Sequence, residues 1–121
     1  MYMPKRGDIC WIDYEPYVGN EEGGHNAKNV RRLMLVLSGH LYGMKTGDVI
    51  GMPITSTVNA KFRSCLIPVQ TIHHKIHGYI ICCKLNSFDF HTRRGERAID
   101  HLADFVWPDV NYYFGSMFRN N

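Results

Sequence analysis

The sequence has no Cys-x-x-Cys pair, no internal repeat and no low-complexity tract, and none of its apolar runs approaches a membrane span. Crossing a bilayer as a helix takes about 20 consecutive apolar residues, so no membrane association is expected. Residues 1–8 are polar and lack the apolar segment of a secretory signal, which predicts a protein that stays in the cytoplasm. The four cysteines are Cys10, Cys65, Cys82 and Cys83. Adjacent Cys82 and Cys83 would point to opposite faces of a strand, and the expectation is reduced thiols rather than a disulfide framework. His73, His74 and His77 form the densest histidine group, yet no Cys or acidic residue stands beside them at zinc-finger spacing. These read as loop histidines, and neither metal nor cofactor is expected.

What is present is an ordinary globular composition. A chain of 121 residues with 45% hydrophobic residues fits one domain, residues 1–121. Aromatics make up 12%, more than so small a core absorbs, leaving some to stack on a base or meet a partner. The formal charge of +3 suits an anionic partner without requiring one.

The pattern along the chain is one of short strands separated by turn signals. Residues 8–14 read as a strand with both faces buried, ended by Pro16. Residues 19–29, with three glycines and adjacent Glu21 and Glu22, read as a long polar loop. The apolar run 33–37 is that of a central strand, and 40–47 a turn-rich connection. Residues 49–55 form a further strand, in which Pro53 suggests an edge or a bulge. Residues 65–69 and 79–85 complete the set. Asp104 then caps a helix on which Phe105, Val106, Val110, Tyr113, Phe114 and Met117 recur at helical spacing. Pro108 sits in its first turn, where a missing N–H does little harm. The fold class is mainly β: a small antiparallel barrel with a C-terminal helix.

Four blocks in fixed order carry a resemblance. Arg6-Gly7-Asp8-Ile9 is followed by Pro16 and Gly19-Asn20-Glu21; then come Arg32 to Ser38, Pro53-Ile54-Thr55-Ser56, and Gly78 to Asp89. Together they resemble the MazF/PemK/Kid toxin family and span nearly the whole chain. The resemblance implies an SH3-like barrel, a homodimer, sequence-selective cleavage of single-stranded RNA, and inhibition by a cognate antitoxin. There are departures. Leu33 stands where the family has proline after the arginine, the loop between Glu21 and Arg32 is longer, and Lys84 and Asn86 replace Gln and Arg. Ile81 and Cys83 occupy the positions of the Arg and Asp used by Kid-like members, so that version of the site is absent. The MazF-like version, an arginine after the first loop and a threonine of a Thr-Ser pair, is kept in Arg32 and Thr55.

Metal-independent RNA cleavage uses the ribose 2′-hydroxyl as nucleophile. It needs a proton acceptor, a stabiliser of charge on the phosphoryl oxygens and a proton donor to the leaving oxygen. Arg32 suits the second task because its planar fork matches phosphate oxygens; the plain alternative is a surface charge at a strand end. Thr55 offers a hydroxyl to a phosphate oxygen, or is simply a β-branched strand residue. Glu21 and His25 are the candidate acid–base groups, with a solvated loop face as the alternative for each. Asn20, Lys28, Arg31, Ser56, Lys84, Asn86 and Arg93 are the candidate RNA contacts, with Arg94 beside them. Tyr17, Phe88 and Phe90 are candidate stacking platforms, though the core is expected to claim at least one. Asp89 either reads a base edge or caps a turn. The competing reading is a non-cleaving member of the same fold that acts by binding RNA or a gyrase-like protein target.

Overall fold

The computed structural model describes residues 1–14, 30–58 and 60–120. Seven strands among them form one antiparallel sheet: β1 (Asp8–Asp13), β2 (Arg31–Val36), β3 (Asp48–Thr55), β4 (Leu66–Pro68), β5 (Tyr79–Ile81), β6 (Asn86–Asp89) and β7 (Asp100–His101). The order is β4-β5-β3-β2-β1-β7, with β6 also paired to β3. Two helices, α1 (His40–Thr46) and α2 (Trp107–Ser116), lie outside the sheet.

The three long strands are buried on both faces, which is why their sequences are nearly continuous apolar runs rather than strict alternations. On one face Ile9, Leu35, Met52, Ile54 and Ile80 pack with Leu102, Val106 and Val110 beneath α2. On the other, Cys10, Ile12, Met34, Val36 and Val49 pack with Met3, Tyr14 and Phe90. Each fully buried aliphatic side chain stabilises the fold by roughly 1.5–3 kcal/mol relative to exposure. Phe90 is 1% exposed, so it is a core residue and not a stacking platform.

Pro53 lies in the most heavily paired strand, not at an edge, and the register explains how. Leu37 N–H donates to Ile50 O (2.8 Å). Hydrogen-bonded pairs alternate along an antiparallel ladder, so Met34–Pro53 falls on a non-hydrogen-bonded position. The missing donor of Pro53 is therefore turned to the other side of β3. There β6 stops pairing at Gly51 and β5 begins at Ile54. The same interruption divides the expected strand 79–85. It ends at Ile81, turns through Cys82 and Cys83, and resumes as β6.

Two further expectations change. Residues 40–47 contain a short helix, α1, ended by Gly47 at φ +79°, a left-handed conformation suited to glycine. Only Gly43 of α1 is buried, so the helix carries no apolar stripe to read. At the C-terminus, Asp104 begins a 3₁₀ turn, Asp104–Val106, rather than capping the helix. Val106 and Val110 face the core, but Phe105 and Phe114 are exposed. All four cysteines are free, Cys10, Cys65 and Cys82 buried and Cys83 exposed. No helix among the described residues is long and apolar enough to cross a membrane.

Candidate functional site

The ends of β1, β2 and β3 bring the two principal candidates side by side. The β2–β3 ladder pairs Leu33 with Ile54, and one more step along it sets Arg32 across from Thr55. That step is again a non-hydrogen-bonded position, where facing Cβ atoms approach to about 4.5–5.5 Å. On its other side Arg32 pairs with Ile12 of β1. Tyr14 follows two residues on, on the same face as Ile12. Tyr14, Arg32 and Thr55 thus form an oblique row on one face of the sheet, with Tyr14 just past the end of β1 and diagonal to Arg32.

The row lines a groove of about 910 Å³. One wall is Tyr14 packed edge-on against Phe88, centroids 4.9 Å apart, with the Arg93 guanidinium 4.3 Å over the Phe88 ring. Phe62, from the 3₁₀ turn Ala60–Cys65, also lines the groove, with the Lys84 ammonium 5.3 Å from its ring. Thr55, Ser56, Thr57, Asn86 and His77 complete the polar lining. Among the described residues lining the groove there is no Asp or Glu, whereas Arg31, Arg32 and Lys84 are present. That described lining suits an anion.

Gly78 allows a close backbone approach to Thr55 here. At φ +143° it packs against the backbone of Thr55 so closely that a Cβ would collide with the Thr55 carbonyl. Thr55 Oγ1 accepts from Thr57 N–H at 3.3 Å and reaches Thr57 O at 3.3 Å. These are long bonds, so the hydroxyl is loosely held. The Arg32 guanidinium is half-buried and has no hydrogen-bond or ion-pair partner among the described residues. A half-buried cation lacking a counter-charge is favourably placed to meet an anion.

The other expected RNA contacts divide sharply. Ser56, Lys84 and Asn86 line the groove. Arg31 also borders it, but its guanidinium is committed, donating to Asp13 Oδ1 (2.6 Å), Glu96 Oε2 (2.6 Å) and Arg94 O (2.9 Å). Arg94 donates to Asp13 from Nε (2.7 Å) and Nη2 (3.2 Å). Asp13 is 4% exposed. The hydrogen bond from Arg94 and then that from Arg31 hold its carboxyl below the usual carboxylate range, against the effect of burial. Arg93 donates to the carbonyls of Asp13 (3.3 Å) and Tyr14 (3.1 Å). Arg31, Arg93 and Arg94 therefore act as internal fasteners rather than free phosphate contacts. Asp89 accepts from Thr92 N–H at 2.8 Å, capping a turn. Of the expected stacking residues among the described residues, Phe88 lines the groove and Phe90 does not. Asn20, Glu21, His25, Lys28 and Tyr17 lie outside the described residues.

Sequence reasoning missed Tyr14, Phe62 and His77 as groove residues. His77 was grouped with loop histidines, and nothing in residues 56–65 signals a wall. The β1–β2 pairing places Tyr14, and the pairing of β5 with both β3 and β4 brings the segments of Phe62 and His77 to it. No group of three His, Cys, Asp or Glu placed to hold a metal occurs among the described residues.

Comparison with known proteins gives a consistent answer. Residues 5–118 match the family model described as PemK-like, MazF-like toxin of type II toxin-antitoxin system. A 55-residue stretch is 38% identical to the endoribonuclease toxin MazF of Escherichia coli (strain K12), covering 46% of this chain and 44% of that relative. The match thus spans less than half the length of the curated relative. Crystallised MazF from Deinococcus radiodurans superposes with a TM-score of 0.77 at 26% identity, over 97% of both chains. A MazE-MazF structure from the same organism superposes over 100% of both chains, with a TM-score of 0.78 at 25% identity.

Proposed function

The chain belongs to the PemK-like, MazF-like family of type II toxin–antitoxin toxins, and from that premise we propose that it is a metal-independent endoribonuclease that cuts single-stranded messenger RNA. The observation that carries this reading is the row of an arginine without a partner among the described residues and a loosely held threonine hydroxyl, in a groove whose described lining holds cations and no acid.

The reaction follows from what that row offers. The ribose 2′-hydroxyl loses its proton and attacks the adjacent phosphorus. The O2′–P bond forms, the P–O5′ bond breaks, and the departing 5′ oxygen takes a proton. The products are a 2′,3′-cyclic phosphate and a 5′-hydroxyl. Arg32 stabilises the charge that gathers on the non-bridging oxygens, where a fixed donor acts most strongly because it needs no reorganisation. Thr55 donates a hydrogen bond to one of them. Glu21 and His25 remain the proposed acid–base groups. Ser56, Lys84, Asn86, Asn20 and Lys28 contact the strand, and Phe88 offers a ring edge to a base. A cognate antitoxin covers the same groove, and the active form is a cytoplasmic homodimer.

The test is to incubate the purified protein with mixed-sequence RNA in EDTA, alongside Arg32→Ala. The expected result is cutting by the first, with cyclic phosphate ends, and little by the second. Cutting abolished by EDTA, or equal cutting by both proteins, would overturn the reading.

A further inference from the structure

A feature of the groove remains that neither arginine nor threonine accounts for. The Tyr14 hydroxyl is buried and has no hydrogen-bond partner among the described residues, on a residue that is 7% exposed and lines the groove. Buried polar groups are almost always paired, because an unmade bond leaves the full desolvation cost. A phenylalanine would fill the same space against Phe88 without that cost. The hydroxyl therefore destabilises the empty protein, which points to a partner that arrives with a ligand.

The position names the chemistry of that partner. Tyr14 is the diagonal neighbour of Arg32 across β1 and β2, on the face that also holds Thr55. Arg32 is the charge that acts on the phenol. Burial drives the phenol's ionisation above its ordinary range, the Arg32 charge opposing it, so the group stays a neutral donor at every working pH. A neutral donor beside a fixed cation suits a phosphoryl oxygen and repels nothing.

We propose that Tyr14 is a third phosphoryl-positioning residue, donating its hydroxyl proton to a non-bridging oxygen of the phosphate that Arg32 and Thr55 hold. This rests on the reading of the groove as an RNA-cleaving site and deepens it. The oxygen is closed to solvent in the empty groove, so the phosphate engages it by shifting the Tyr14–Phe88 wall rather than by filling open space.

The experiment uses Tyr14→Phe, which removes one oxygen and keeps the ring. Single-turnover cleavage of saturating RNA is compared with thermal unfolding of the same two proteins, with and without inorganic phosphate. The expected result has three parts. Cleavage by Tyr14→Phe slows roughly tenfold or more, as for a lost hydrogen bond to a charged group. The melting temperature of the free variant is equal to or above that of the wild type. Phosphate raises the wild-type melting temperature more than that of the variant. A lower melting temperature with proportionate loss of activity would assign Tyr14 a structural role and defeat the proposal. Unchanged cleavage and an unchanged phosphate response would mean that the hydroxyl meets only a buried water, and would defeat it too. If the wild type cuts no RNA, the catalytic reading fails by itself, and the phosphate response alone decides whether Tyr14 holds an anion.

Discussion

Arg31 and Arg32 are neighbours in sequence, half-buried, and both border the groove, yet they belong to opposite regions of the molecule. Arg31 bridges two carboxylates in a chain of ion pairs, Glu96–Arg31–Asp13–Arg94. Its charge is spent on fastening the start of β2 to the 91–97 turn. Arg32, one pleat away, faces a groove with no acid in its described lining. Strand alternation alone separates them: successive side chains point to opposite faces, and only one of those faces carries the counter-charges. A residue's type therefore says little about its role here; what its strand face holds says most.

The comparison breaks most plainly by exchanging the losses. Arg32→Ala is expected to lower single-turnover cleavage by about 100- to 1,000-fold, the range for a fixed donor to a developing oxyanion. Its urea midpoint should stay near that of the wild type. Arg31→Ala is expected to do the reverse, keeping most of the activity while shifting the midpoint downward. If Arg31→Ala inactivates as severely as Arg32→Ala at unchanged stability, the division between fastener and catalyst is wrong.

A smaller effect is expected at the centre of the cluster. Asp13→Asn leaves two guanidinium groups without their carboxylate. Because Arg94 is 62% exposed and Arg31 26% exposed in their side chains, solvent screens part of the loss. About 1–3 kcal/mol of unfolding free energy is the expected decrement, measured by urea denaturation at neutral pH. The pH dependence gives a second view of the same group. The folded-state pKa of Asp13 is lowered, so its contribution is fully present above the ordinary carboxylate pKa of about 3.9 and is lost as pH falls through the lower folded value. Melting temperatures taken from pH 6 to 2 should therefore fall more steeply for the wild type than for Asp13→Asn. Parallel curves would remove the cluster from the account of acid stability. Asp100 works the same way in the wild type and the variant. Burial opposes its charge, but the Thr71 hydroxyl beside it and amide hydrogen bonds from Lys75, His73 and His101 together lower its pKa.

The smallest expected effect concerns the groove wall. Lys84→Ala should weaken binding of a non-cleavable single-stranded oligonucleotide, and should reduce the slope of log affinity against log salt by about 0.7, the value for one phosphate contact on a single strand. Its catalytic rate at saturation should change little. An unchanged salt slope would mean that Lys84 serves only to pack on Phe62.

Much of the sheet was legible beforehand. Residues 8–14, 33–37 and 49–55 carried apolar runs of strand length, and each became a strand within two residues of the expected limits. The elements missed share a cause. Helix α1 buries only Gly43, and β7 is two residues long, so neither leaves a periodic signal. The break between β5 and β6 depends on what lies opposite it, the missing donor of Pro53, which no local window contains. Of the candidate site residues, Arg32 and Thr55 were picked out by the family resemblance alone. Arg31, Arg93 and Arg94 looked equally suitable, because a list of basic residues does not record which of them already has an acid.

The amino-acid order by itself determined that this chain would form a small β fold with a C-terminal helix, because alternation and apolar runs act within a few residues of one another. It also placed an arginine and a Thr-Ser pair at two strand ends. Tertiary structure alone decided that those ends are adjacent, that one arginine of a consecutive pair has no partner among the described residues, and that a tyrosine hydroxyl is shut in beside it. The physical reason is that register and counter-charge are contacts across strands, between residues far apart in sequence, and only the folded sheet brings them within reach.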